Sequence, residues 1–210
     1  MRAHKGRSVT RIMVDGRLCY LKRYWWTPSQ LFKGHVSRGC HELDVIDWLN
    51  GNGFAGPRVA ARGRSSVLAM TTKLYFLMEA VPGEVPLEEA WRRHPDDGDG
   101  LLSAVAAFAA RLHDRGFVHT DFSERHILVG GPERGWTFRL IDLERARIGH
   151  RDERRSMNDL KTLAASVSAE ELRRAIEDRF LDTYAAHRRS LRPEADVRSL
   201  FARAQATKDF

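Results

Sequence analysis

At 210 residues, with 42% hydrophobic and 30% charged side chains, the chain has the make-up of a folded globular protein, one domain or one bilobal unit, and not of a disordered one. The net charge of +7 is uneven: residues 1–38 hold nine Lys/Arg against the single acid Asp15, and the other 172 residues are near neutral, with 26 basic and 27 acidic side chains, so a basic end faces an anionic partner such as nucleotide phosphate, nucleic acid or an anionic membrane surface. The longest apolar stretch, residues 101–110, is about half a membrane span, no apolar run follows the basic N-terminus as a signal peptide would need, and Cys19 and Cys40 suit neither a metal site nor a disulfide framework, which makes a reducing, cytoplasmic location the default.

In chain order, SVTRIMVDGRLCYLKRY reads as two strands joined by an Asp15-Gly16 turn. After a loop around Thr27-Pro28, residues 40–49 carry Leu43, Ile46 and Leu49 at helical spacing, and Asn50, Gly51 and Gly53 stop the helix. Residues 58–61, 66–70 and 73–78 read as short strands, and Val81-Pro82-Gly83 as a crossing between lobes. Residues 101–114 form a helix with apolar positions 101, 102, 105, 108, 109 and 112, ended by Arg115-Gly116. Two apolar runs, 127–129 and 138–141, flank a Gly/Pro turn. From Asn158 onward the pattern is helical, broken at Pro193. Strands first and helices after predict an α+β protein, with a sheet-rich lobe over residues 1–80 and a helical lobe over 81–210 acting as one unit.

The chemistry is concentrated in LHDRGFVHTDFSERHILV, residues 112–129, followed by LIDLER, residues 140–145. A helix ends at Gly116, His119-x-Asp121 follows, a polar ligand His126 stands five residues after Asp121, and a hydrophobic hairpin leads to a second acid, Asp142. This is the layout of a kinase catalytic loop and metal-binding loop. One carboxylate accepts the proton of an attacking hydroxyl, and another holds the metal that bridges the nucleotide phosphates. Upstream, Lys22 ends an alternating strand and Glu42 lies 20 residues later near the start of a helix, in the order of a kinase's phosphate-contacting lysine and its glutamate partner. Taken singly, Lys22 and Glu42 are surface charges, His119 is a structural histidine and Asp142 is a strand-end cap. Their joint order and spacing predicts a protein-kinase-like bilobal fold using ATP and Mg²⁺, or Mn²⁺.

HTDFSERHILV and LIDLERAR resemble the lipopolysaccharide kinase (Kdo/WaaP) family, over residues 7–168. Histidine in place of asparagine five residues after the catalytic Asp is similar to the core heptose (I) kinases, whereas Kdo kinases tend to keep asparagine there. VDGRLCYLKRY, QLFKG and RRSMNDLKTL are further features of that likeness. The resemblance implies that Asp121 is the catalytic base, Lys22 the phosphate contact with Glu42 as its partner, and Asp142 a metal ligand. It also implies that Glu79 to Val81 line the adenine site through backbone groups, and that Asp159 braces the catalytic loop, its plainer alternative being an acid at a helix N-terminus. The expected reaction is phosphorylation of a heptose or Kdo hydroxyl of the lipopolysaccharide inner core, or of its lipid-linked precursor, at the inner face of the cytoplasmic membrane. For His126 two roles stay open: metal ligand, or orientation of Asp121 alone.

The family's first strand and glycine-rich loop have only six residues to occupy before Arg7, so the small lobe is expected to lack both. That leaves two alternatives beside the sugar kinase: a kinase of the same fold acting on a small molecule or a protein Ser/Tyr, and a non-catalytic binding module. Lys22-Arg-Tyr-Trp25-Trp26 and Leu31-Phe32-Lys33 combine cations with aromatic groups and suit an anionic membrane surface. No nucleic-acid module is recognisable, and nucleic acid is not an expected partner.

Overall fold

A two-residue turn sets the register of the first hairpin. β2 (Arg7–Val14) and β3 (Arg17–Trp25) pair antiparallel from Arg7↔Tyr24 to Val14↔Arg17. Both turn residues, Asp15 and Gly16, take positive φ, 49° and 73°, as the twist of a tight hairpin requires. The computed structural model describes residues 2–4, 6–26, 35–67, 70–131, 135–149, 151–188 and 197–206. The loop expected at Thr27-Pro28, the QLFKG segment with Leu31, Phe32 and Lys33, Pro132 of the Gly/Pro turn and the break at Pro193 lie outside the described residues. The chain divides into two compact units, Met1–Pro82 and Gly83–Phe210.

Among the described residues the first unit is a five-stranded antiparallel sheet of β1 (Arg2–His4), β2, β3, β4 (Arg58–Val67) and β5 (Met70–Glu79), ordered β1-β2-β3-β5-β4, with one helix on it. Helix α1 (His35–Gly51) buries Val36, Leu43, Ile46 and Leu49, a stripe at helical spacing. It reaches the sheet through Gly39, where a Cβ would meet the Tyr24 ring at 2.7 Å and Leu74 at 2.8 Å. Two expectations are corrected here. A first strand is present: β1 (Arg2–His4) pairs with β2 from Arg2↔Val9 to His4↔Arg7, and Gly6, at φ 92°, stands in the turn. Three residues are too few to display alternation, and backbone pairing alone makes the strand. That turn holds a single glycine, Gly6, and not a glycine-rich run. Where the sequence predicts three short strands, two of ten residues occur, β4 (Arg58–Val67) and β5 (Met70–Glu79). β4 is an edge strand and mostly exposed, so it needs no apolar alternation. Its Gly63 stands opposite Tyr75, whose ring occupies the space a Cβ would take.

The second unit is mainly helical. Helix α2 (Leu87–Arg93) precedes α3 (Gly98–Asp114), whose Leu101, Leu102, Val105, Phe108, Ala109 and Leu112 are buried, as their spacing predicts. Gly116 at φ 77° and the Phe117 N–H to Leu112 carbonyl bond (3.1 Å) close the helix. A three-stranded antiparallel sheet of β6 (Val85–Pro86), β7 (Ile127–Gly130) and β8 (Thr137–Leu140) follows, in the order β6-β7-β8. Helix α4 (Glu153–Ser166) is capped by Asp152, whose side chain accepts from the Arg155 N–H at 3.0 Å. Then come α5 (Glu170–Ala175), a π-turn (Ile176–Phe180), α6 (Leu181–His187) and α7 (Val197–Ala206). Among the described residues no helix is long and apolar enough to cross a membrane.

Candidate active site

In the first unit, α1 carries Glu42 on its apolar stripe, seven residues before Leu49 and four before Ile46, so the carboxylate is wholly buried. A buried charge needs partners, and β3 supplies two from one face. Lys22 Nζ donates to Glu42 Oε1 at 2.6 Å, and the Tyr24 hydroxyl donates to Oε2 at 2.8 Å. Residues i and i+2 of a strand share a face, which is why Lys22 and Tyr24 reach the same carboxylate. Lys22 and Glu42 are thus brought together. Glu79, at the end of β5, turns its side chain to Arg17 at 3.5 Å, and the next N–H, of Ala80, donates to the Leu18 carbonyl at 2.9 Å. Val81 follows, half-buried.

In the second unit the loop after α3 gathers the remaining predicted residues. Asp121, His126 and Asp142 each offer a ligand atom, all within 4.8 Å of one another. His126 Nδ1 lies 2.9 Å from the Asp121 backbone carbonyl and 3.0 Å from Ser123 Oγ. A carbonyl only accepts, so an imidazole with one proton carries it on Nδ1. The lone pair is then on Nε2, 3.7 Å from Asp142 Oδ2. Nδ1 is 3.6 Å from the Asp121 carboxylate, too far for a hydrogen bond. An imidazole lone pair and two carboxylates converging on one volume have the electronics of a cation site, and a ligating histidine whose other nitrogen is held by a carbonyl is the usual form of one. The donor set fits a hard divalent ion, with nitrogen tolerated better by Mn²⁺ than by Mg²⁺. Thr120 and Asp142 both take left-handed backbone conformations, at φ 65° and 58°. The hydrogen bonds of the neighbouring backbone hold them there: Val118 and Arg147 exchange bonds of 2.9 and 2.7 Å, and the Thr120 hydroxyl donates to the Arg145 carbonyl at 2.9 Å.

Beneath this loop Asp159 of α4 is buried, and its carboxylate accepts the N–H of His119 at 2.7 Å and of Thr120 at 2.8 Å. It lies nearly two turns inside α4, so it is not a helix-terminal acid. His119 is fully buried, with Nε2 3.0 Å from the Ile141 carbonyl, and burial pushes its pKa down. A neutral His119 then donates Nε2–H to Ile141 and ties the Asp121 loop to the Asp142 segment. His113 is 3.4 Å from Asp159 and 2.7 Å from the Tyr184 hydroxyl, and burial lowers its pKa against the raising influence of Asp159. Sequence reasoning missed Ser123, His113 and Tyr184. The signal for His113 was available: it follows Leu112 on the buried face of α3, where a polar residue needs a partner.

Comparison with known proteins bears on the family and the fold. A family model described as lipopolysaccharide kinase (Kdo/WaaP) family matches residues 1–184. The chain is 27% identical over 150 residues to the 3-deoxy-D-manno-octulosonic acid kinase of Vibrio parahaemolyticus serotype O3:K6 (strain RIMD 2210633), covering 70% of this chain and 60% of that relative's length. The solved structure of WaaP in complex with acyl carrier protein superposes with a TM-score of 0.69 at 23% identity, over 98% of this chain and 87% of the other. The α+β kinase-like fold predicted from the sequence is the fold observed.

Proposed function

The chain belongs to the lipopolysaccharide kinase (Kdo/WaaP) family, and we propose that it transfers the γ-phosphoryl group of ATP to a sugar hydroxyl, of heptose or Kdo, in the lipopolysaccharide inner core. The observation that carries this reading is the convergence of Asp121, His126 and Asp142 beside a loop anchored by Asp159. Asp121 takes the proton of the acceptor hydroxyl as its oxygen forms a bond to the γ-phosphorus and the bond to the ADP oxygen breaks. Lys22, held by Glu42, contacts the phosphates. Asp142 and His126 would hold Mg²⁺ or Mn²⁺, which would neutralise phosphate charge when bound. Ser123 and the Asp121 carbonyl keep the His126 proton on Nδ1. Backbone groups of Glu79 and Val81 line the adenine.

Histidine at position 126 favours heptose as the acceptor, by likeness to the core heptose kinases. The similarity to a Kdo kinase favours Kdo, and identifying the phosphorylated hydroxyl decides between them. We place the protein at the inner face of the cytoplasmic membrane. Exposed Trp26 and Tyr75 beside exposed Arg23 and half-buried Trp25 support contact with anionic lipid. Replacing Trp25 and Trp26 by Ser is expected to weaken co-sedimentation with anionic vesicles.

The test of the phosphotransfer reading is nucleotide binding followed by melting temperature. ATP with Mg²⁺ at about 100 times Kd adds about 2.7 kcal/mol, which for a chain of this length raises Tm by roughly 5–10 °C. Asp142→Ala is expected to lose the Mg²⁺-dependent part. No shift in the wild type would favour a binding module without catalysis.

A further inference from the structure

Helix α4 has a second face. Ser156, Met157, Asp159, Leu160, Leu163 and Ala164 are turned into the protein, which leaves Asn158, Lys161, Thr162 and Ala165 as a stripe at i, i+3, i+4 and i+7. This stripe faces the catalytic loop. With Asp121, Ser123, Glu124 and Arg125 it encloses a pocket of about 410 Å³ that lies wholly within the second unit, in the range of small-molecule sites. The two walls are tied at one end, where the Glu124 N–H donates to Ser166 Oγ at 2.9 Å and Ser166 donates to the Leu163 carbonyl at 2.9 Å.

Asp121 belongs both to this pocket and to the cluster with His126 and Asp142. The acceptor hydroxyl must reach both the base that takes its proton and the phosphorus it attacks, so the acceptor binds next to Asp121, and this pocket is lined by Asp121. Its lining is mixed, and its polar groups suit a polyol: a carboxylate (Glu124), a carboxamide (Asn158) and hydroxyls (Ser123, Thr162). Apart from the base, its charges are Glu124 against Arg125 and Lys161, an excess of one cation. Arg125 is exposed, whereas Lys161 is half-buried and is the charged member of an otherwise neutral stripe.

We propose that the pocket between residues 121–125 and α4 is the acceptor site, and that Lys161 determines specificity by binding an anionic substituent, carboxylate or phosphate, on the sugar whose neighbouring hydroxyl Asp121 deprotonates. This rests on the phosphotransfer reading above. The lysine ammonium forms a charge-assisted hydrogen bond with that substituent, a contact that a neutral acceptor does not offer.

The test uses the full chain and three forms of delipidated lipopolysaccharide core: intact, dephosphorylated, and dephosphorylated with its carboxyl groups reduced to alcohols. Loss of one charged hydrogen bond is about tenfold in affinity, so Lys161→Gln is expected to bind the intact core about tenfold more weakly by calorimetry. Acceptor KM rises in parallel, while the thermal shift given by ATP and Mg²⁺ is kept. The difference between Lys161→Gln and wild type should vanish at the step that removes the anion being read: at dephosphorylation for a phosphate, at carboxyl reduction for a carboxylate. Equal affinity of variant and wild type for the intact core overturns the proposal, and so does a difference that persists on the reduced core. Ala165→Trp, an exposed position that needs no repacking, should fill the pocket and abolish core binding. Retained binding in that variant also overturns it. A wild type that binds core in a Lys161-dependent way yet transfers no phosphate refutes the phosphotransfer reading and leaves the pocket's specificity standing.

Discussion

Asp159 gives the sharpest test of how the loop is held. Its carboxylate is buried and takes two backbone N–H groups, from His119 at 2.7 Å and Thr120 at 2.8 Å. Hydrogen bonds to a charged group contribute about 1.5–3 kcal/mol each, so Asp159→Ala should cost about 3–6 kcal/mol, a large share of a typical domain's stability. Asp159→Asn keeps the shape and one acceptor oxygen, but turns an amide N–H₂ towards the second backbone donor. The expected loss is one bond, about 1.5–3 kcal/mol. If that energy is taken from the productive position of Asp121 two residues away, turnover falls about tenfold or more. Urea unfolding at unchanged m-value measures the first effect, and phosphate transfer measures the second. A midpoint and a turnover both equal to wild type in Asp159→Asn would refute the reasoning and reduce Asp159 to an incidental helix acid.

Three further outcomes are expected. Glu42→Ala leaves the Lys22 ammonium buried without its counter-charge and should cost about 3–5 kcal/mol, whereas Lys22→Met combined with Glu42→Leu should recover most of the stability and still transfer no phosphate. A double variant that keeps turnover would remove Lys22 from the mechanism. His126→Asn exchanges an imidazole nitrogen for an amide oxygen, so activity with Mg²⁺ should persist and any preference for Mn²⁺ should be lost. The same metal preference in variant and wild type would mean that His126 only orients Asp121. His113 is held neutral by burial, with its folded pKa below the unfolded value near ~6.5. The unfolded state therefore binds more protons below that pH. Stability is unaffected by this group above it and falls as pH drops beneath it, by up to about 1.4 kcal/mol per pH unit. His119, whose pKa burial also lowers, adds a slope of the same sign, so His113→Gln should reduce the slope without abolishing it, and an identical slope in the variant would show that His113 does not contribute.

The catalytic cluster was legible because its members are close in sequence. A helix stop at Gly116, His119-x-Asp121, His126 five residues on and Asp142 after one hairpin form a local pattern, and two short strands carry the ends back together. Lys22 and Glu42 were legible by order and spacing. The physical signal for Glu42 is stronger than order alone, since it interrupts the apolar stripe of α1 and so must be paired. β1 was not legible because three residues carry no period. β4 was fragmented because an exposed edge strand with Arg62, Gly63 and Arg64 has no hydrophobic alternation to read. The acceptor-side stripe Asn158, Lys161, Thr162 and Ala165 is visible as a helical face in the sequence, but the loop it faces is a matter of tertiary packing. The role of Asp159 was left between two alternatives for the same reason.

The central claim is that Asp121 transfers a proton while phosphate moves from ATP to a core sugar. Purified protein incubated with γ-labelled ATP, Mg²⁺ and dephosphorylated core lipopolysaccharide measures this directly, with wild type and Asp121→Asn side by side. The account predicts label on a heptose or Kdo hydroxyl in the wild type. In Asp121→Asn it predicts a rate lower by about 10²–10⁴-fold with nucleotide binding retained. Turnover by Asp121→Asn within about threefold of wild type, a barrier change under about 1 kcal/mol, would contradict it.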